Sequence, residues 1–202
     1  MGLLTVGCYF IRCNQVHINN GEKMIQKISL ILINLIFGSM VLYSYYIGLN
    51  KEPELSLKLW GGVPNILQPI IIVSMFVSAI GYFFFTYNFL INTNVDNVLF
   101  LNKFNYWSLH IVYLLILIPS MFWISLTFKY MKSGNPFDWY MVVMILFCVA
   151  ISSIVLFLFT VDMNFKNNSF IYLSSVVGAS FFVFHTLFLD GFIWTVFFNH
   201  KP

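Results

Sequence analysis

Five runs of about 20 or more residues, each nearly free of charge, dominate this chain: Ile28–Ile47, Ile66–Tyr87, Tyr106–Phe128, Trp139–Phe159 and Phe170–Leu189. At a rise of about 1.5 Å per residue, each makes roughly 30 Å of helix, the thickness of a bilayer's hydrocarbon core. A backbone in hydrocarbon must satisfy its own N–H and C=O groups, so such a run is either a helix or a strand of a closed barrel. None of the runs alternates with period two, which argues against a barrel. The expected fold is therefore all-α, a polytopic transmembrane helix bundle of about five spans. The connecting segments are short (50–65, 88–105, 129–138 and 160–169) and leave no room for a second domain. The organisation expected is an N-terminal tail or interfacial segment over residues 1–24 and a single transmembrane domain over 25–202.

Charge supports this class. Only 8% of the residues are charged, against about a quarter in a soluble domain. The formal net charge of +3 is scattered and forms no basic patch, which excludes nucleic acid as an expected partner. The three cysteines, Cys8, Cys13 and Cys148, have no zinc spacing. Cys148 reads as a small packing residue, and Cys8 and Cys13 as free thiols or lipidation sites. No metal or cofactor is implied. Residues 1–24 lack a small-residue cleavage site and do not read as a secretory signal. Basic residues divide five against five between the two faces, so the positive-inside rule does not decide the orientation. The cluster Arg12, Lys23 and Lys27 ahead of the first span favours a cytoplasmic N-terminus. The sequon Asn167-Asn168-Ser169 abuts the fifth span, too close to the bilayer for modification. After Asp190 the apolar stretch 191–198 is expected to lie along the interface or to extend the fifth helix.

Polar groups inside hydrocarbon are costly, and their positions carry whatever function is legible. Counting helical rise places His110 about 6 Å and His185 about 22 Å from the N-terminal-side face. A shared metal or haem site between them is therefore disfavoured. Tyr43, Ser44, Gln68, Ser74, Ser120 and Trp123 fall at the depth of His185, with Asp190 one turn further out. This is the candidate intramembrane polar site: His185, Asp190, Gln68, Ser120 and Tyr43. Lys58, Lys129 and Lys132 occupy the same face and are the expected cationic partners of Asp190. At 3.6 residues per turn, His185 and Asp190 stand about 140° apart and should not share a helix face, whereas Thr186 and Asp190 should. A second polar layer, around His110 and Asn34 with Ser152, Ser153, Ser174 and Ser175, lies toward the other face. These layers read either as a substrate or proton site or as interhelical hydrogen bonds with an interfacial ion pair. Pro119 removes the donor for the Leu115 carbonyl and should kink the third span. The stripes Ser74–Ser78–Gly81 and Ser174–Gly178 are suited to close helix packing. Trp60-Gly-Gly-Val-Pro64 reads as a helix-entry turn, with a ligand lid as the alternative.

No catalytic constellation is present in the sequence. The leading expectation is a non-catalytic membrane subunit, scaffold or assembly factor, with the lipid bilayer and other membrane subunits, or further copies of the chain, as partners. The first alternative is a small-solute or proton carrier using the His185–Asp190 layer. The second is a membrane-embedded enzyme or binder of a lipid-like ligand with His185 as acid/base.

Overall fold

The computed structural model describes residues 20–98, 100–101, 103–162 and 169–198. Cys8, Cys13, most of the tail 1–24, and Asn167 and Asn168 of the sequon lie outside the described residues, and with them the expectations drawn for each. Those described form an all-α bundle with five helices long and apolar enough to cross a membrane.

The first helix, α1, spans Asn20–Lys51 and has 32 residues, or about 48 Å. It outruns the core thickness, and its ends are polar: Glu22 stands in the first turn and Lys51 in the last, signs that suit the helix dipole. A short helix, α2 (Pro53–Leu57), follows, with proline in its first turn where no amide donor is needed. The turn after it bends at Gly61, whose φ of 53° is left-handed. Helix α3 (Gln68–Tyr87) continues without a break into a wider, π-type turn over Asn88–Asn92. Helix α4 (Trp107–Ser133) stops at Gly134, which has φ 62° and donates its N–H to the Tyr130 carbonyl at 2.8 Å. Helix α5 (Pro136–Asp162) is entered through Asn135, whose side-chain oxygen accepts from the Phe137 amide at 3.0 Å. Helix α6 (Ser169–Val183) passes into a π-type segment, Phe184–Trp194, and then into a last turn, α7 (Thr195–Phe197).

Packing pairs α4 with α5, α3 with α6, and α5 with both parts of α6, while α1 lies against α4. Alternate crossing makes α1 and α4 run in the same direction. Small residues set the closest contact. A Cβ placed on Gly81 would fall 2.6 Å from the Gly178 Cα, so α3 and α6 cross backbone on backbone. Ser78 Oγ donates to the Phe181 carbonyl at 3.0 Å and Ser175 Oγ to the Phe84 carbonyl at 3.2 Å across this crossing.

Pro119 lies within α4, which runs through it as one helix. The Leu115 carbonyl that it deprives of an amide receives the Cys148 thiol from α5 at 3.7 Å. Cys148 therefore does more than fill space. The stretch 191–198 does not lie along the surface. It extends α6, and Trp194 and Phe198 are buried beside Tyr130 and Trp139, with the Trp139 and Phe198 rings stacked at 5.2 Å. The 60–64 turn closes over this cluster. The Gly62 N–H donates to the Phe197 carbonyl at 2.9 Å and Trp194 Nε1 donates to the Leu59 carbonyl at 2.9 Å.

Candidate functional site

His185 and Asp190 touch. Nε2 of His185 lies 3.4 Å from Oδ2 of Asp190, although the two residues would stand on different faces of an α-helix. The winding is the reason. From Phe184 to Trp194 the chain turns with i→i+5 geometry, in which residues five apart stack. Two neighbours mark the wider turn. A Cβ placed on Gly191 would be 3.3 Å from the carbonyl oxygen of Thr186, five residues earlier. The Thr195 hydroxyl donates to the carbonyl of Asp190, also five residues earlier, at 3.0 Å. The expectation that His185 and Asp190 face apart is thus corrected; it assumed 3.6 residues per turn where the helix is wider.

The pair is built into the bundle from several sides. His185 is 9% exposed and its Nδ1 is buried without a partner. Thr186, the next residue, shares a 2.8 Å hydrogen bond with Ser153 of α5, which ties the π-type segment to its neighbour. The Asp190 carboxylate lies within electrostatic reach of Tyr45 on α1. Tyr45 stacks on Trp123 of α4 with ring centroids 5.6 Å apart, and Trp123 meets Trp194 edge-on at 5.4 Å. The Trp123 indole nitrogen is also buried without a partner.

A carboxylate beside an imidazole can hold one proton between them, either as imidazolium and carboxylate or as imidazole and carboxylic acid. Both forms are neutral overall, so the pair avoids the cost of a lone charge in hydrocarbon while still exchanging a proton.

The other residues expected at this layer sit elsewhere. Tyr43 is 64% exposed and points out of the bundle; Tyr45, two positions on, takes the inward place. Gln68 is a helix-entry residue whose amide donates to the Val63 carbonyl at 3.1 Å and to Asn65 Oδ1 at 3.2 Å. Ser120 returns its hydroxyl to the Ile116 carbonyl of its own helix at 2.7 Å. Two of the three lysines expected to face Asp190 have other carboxylates. Lys129 pairs with Asp138 at 2.7 Å, and Lys132 pairs with Glu52.

The second layer separates into distinct contacts. His110 Nε2 lies 2.7 Å from Ser29 Oγ and 2.9 Å from the Gln26 carbonyl oxygen, far from His185 and its partner. Asn34 donates to the Leu30 carbonyl at 2.8 Å and accepts from the Tyr82 hydroxyl. Ser153 belongs with Thr186 rather than with His110. Sequence reasoning missed Tyr45, Gln26, Tyr82 and the buried Thr86–Tyr113 hydroxyl pair at 2.8 Å. Tyr45 had a findable signal, since it shares a helical face with Val41 and Gly48. Among the described residues, no three His, Cys, Asp or Glu side chains gather in metal-binding geometry.

No protein-family model, curated protein or solved structure matches this chain. Fold and site alone define its class. It is an all-α bundle with five helices long and apolar enough to cross a membrane, and the fifth of them carries a His–Asp pair held by a π-type segment.

Proposed function

We propose that the chain is a carrier that binds a proton, alone or together with a small polar solute, at the His185–Asp190 pair. One observation carries this reading: the i→i+5 winding places an imidazole and a carboxylate in contact at a position where an ordinary helix would hold them apart. Local π-type winding is uncommon and concentrates at functional sites. Ionisable groups within a span mark ion or proton pathways. Structural hydrogen bonding alone would not need two titratable groups.

The test is proton flux in proteoliposomes loaded with a pH-sensitive dye, driven by an imposed membrane potential. Wild-type protein should acidify or alkalinise the lumen faster than empty vesicles. His185→Phe and Asp190→Asn should each remove that flux, and Tyr43→Phe should leave it intact. Flux in wild-type vesicles no greater than in empty ones, with and without added small solutes, would end this reading.

A second reading, a subunit or scaffold within a larger membrane assembly, draws support from α1. Of its 32 residues only Gln26 and Leu30 are buried, and its outer face is a continuous apolar surface that includes Leu35, Ile36, Leu42 and Tyr46. Such a face suits lipid or a neighbouring helix. Recovery of stoichiometric partners, or of a discrete homo-oligomer, after mild solubilisation supports this reading. A monodisperse, partner-free monomer counts against it.

A further inference from the structure

The loop leading into α4 turns back on itself between Phe100 and Phe104 and holds a leucine in a conformation that disfavours leucine. Leu101 has φ of 54° and is the one non-glycine residue with positive φ among the described residues. That left-handed region suits glycine or asparagine, because a Cβ there crowds the following carbonyl, and a bulky side chain in it is an outlier. The turn is nonetheless firmly closed. The Phe100 N–H donates to the Phe104 carbonyl at 2.8 Å, and the Phe104 N–H donates to the Phe100 carbonyl at 2.9 Å. Val95, Val98 and Phe100 are buried, whereas Leu101 is 68% exposed and Lys103 and Phe104 are exposed beside it.

A contact with α5 fixes the height of this turn. The Phe100 ring stacks on Phe159 with centroids 4.2 Å apart. Phe159 is the last residue of the apolar run 139–159, and α5 ends three residues later, at Asp162. Three residues are about 4.5 Å of helical rise. The turn therefore sits at the rim of the apolar spans, level with the end of α5, and not far beyond it.

We infer that this turn is a wedge in the membrane interface, and that its partner is lipid at the boundary between headgroups and acyl chains. Leu101 and Phe104 enter the acyl edge, and Lys103 reaches the lipid phosphates. The strained backbone points to that partner. In water a left-handed leucine has the strain and gains nothing from its side chain, and glycine or asparagine would make the same turn at less cost. At the acyl boundary the side chain leaves water, and its burial offsets the strain. Charge agrees. Among the described residues no carboxylate pairs with Lys103, whose ammonium lies 5.9 Å from the centre of the Phe104 ring. Phosphate complements it, and the long lysine stem lets the charge stay at headgroup level beside apolar neighbours. The wedge rests on the five long helices lying in a bilayer and does not depend on the carrier reading.

Spin labelling of the full chain in phosphatidylcholine liposomes tests the inference, with Cys8, Cys13 and Cys148 replaced by serine. Labels are placed through Leu101→Cys, through Ile151→Cys, which is 59% exposed near the middle of α5, and through Glu54→Cys, which is exposed in α2. Collision with oxygen, which concentrates in lipid, is compared with collision with a water-soluble nickel chelate. The oxygen-to-nickel ratio at Leu101 should lie between the other two and severalfold above that at Glu54. A ratio equal to that at Glu54 would put the turn in water and overturn the wedge. A label shielded from both quenchers would assign a protein partner and overturn it too. A ratio at Ile151 as low as at Glu54 would remove the bilayer itself, and the wedge with it. Leu101→Gly gives a second readout. In water glycine relieves the strain at no loss, so the unfolding midpoint in liposomes would rise, and that rise would overturn the inference. In the wedge the variant also loses an immersed side chain, and the midpoint stays level or falls.

Discussion

The α3–α6 crossing offers a perturbation whose size can be worked from the structure. A Cβ on Gly178 would lie 2.6 Å from the Gly81 Cα, where ordinary contact begins at 3.4 Å, so Gly178→Ala must part the helices by roughly 0.8 Å. Both ends of the strain are backbone and cannot rotate away. The same movement carries the Ser78–Phe181 and Ser175–Phe84 bonds, at 3.0 and 3.2 Å, beyond hydrogen-bonding distance. Overpacking costs about 1–3 kcal/mol, and each lost interhelical bond in a membrane about 0.6 kcal/mol. Replacing glycine by alanine within a helix returns up to about 1 kcal/mol. The net expectation is a loss of about 1–3 kcal/mol. Gly38→Ala is the matched control, since nothing lies within 4 Å of a Cβ there. It should be neutral or stabilising by up to about 1 kcal/mol. Unfolding by SDS titration in mixed micelles, followed by tryptophan fluorescence, measures both. Gly178→Ala as mild as Gly38→Ala would refute the packing argument.

Three further outcomes follow from particular contacts. A double-mutant cycle with His185→Leu and Asp190→Leu should show a coupling of about 1 kcal/mol or more in the same unfolding assay, whereas additive effects would mean the two side chains do not interact. Gly62→Ala places a Cβ 2.6 Å from the Phe197 carbonyl oxygen, so it should lift the 60–64 turn off Trp194 and increase acrylamide quenching of tryptophan; unchanged quenching would contradict this docking. Pro119→Ala restores the amide donor to the Leu115 carbonyl and should stabilise α4 by about 0.5–1.5 kcal/mol. A lower unfolding midpoint for that variant would show that the proline is required by the bundle.

The spans were legible because hydrocarbon thickness fixes the length of an apolar helix, whatever the side chains do. Their ends were less so. Apolar content places the start of the first span at Ile28, yet the helix already includes Asn20, because a helix does not stop where lipid does. For His185 and Asp190 the rotation about the helix was not legible. The 140° separation assumed uniform α-winding, and no side chain in Phe184–Trp194 signals an i→i+5 turn on its own. Tyr43 and Tyr45 show the same weakness: depth barely distinguishes them, while the angle about α1 decides which faces the bundle. Gln68 and Ser120 were legible as polar residues but found partners on their own segment, a choice that local carbonyls always offer to amides and hydroxyls. Cys148 could be understood only with Pro119, since the carbonyl it serves belongs to another helix.

The proposed proton site stands or falls with the contact between the imidazole of His185 and the carboxylate of Asp190. Magic-angle-spinning NMR on protein in bilayers, with labelled histidine nitrogen and aspartate carboxyl carbon, measures that distance directly. Strong dipolar coupling between His185 Nε2 and the Asp190 carboxyl carbon, lost in Asp190→Leu, is the expected result for atoms placed as here, with nitrogen and oxygen 3.4 Å apart. No detectable coupling, with chemical shifts of regular α-helix through residues 184–194, would contradict it.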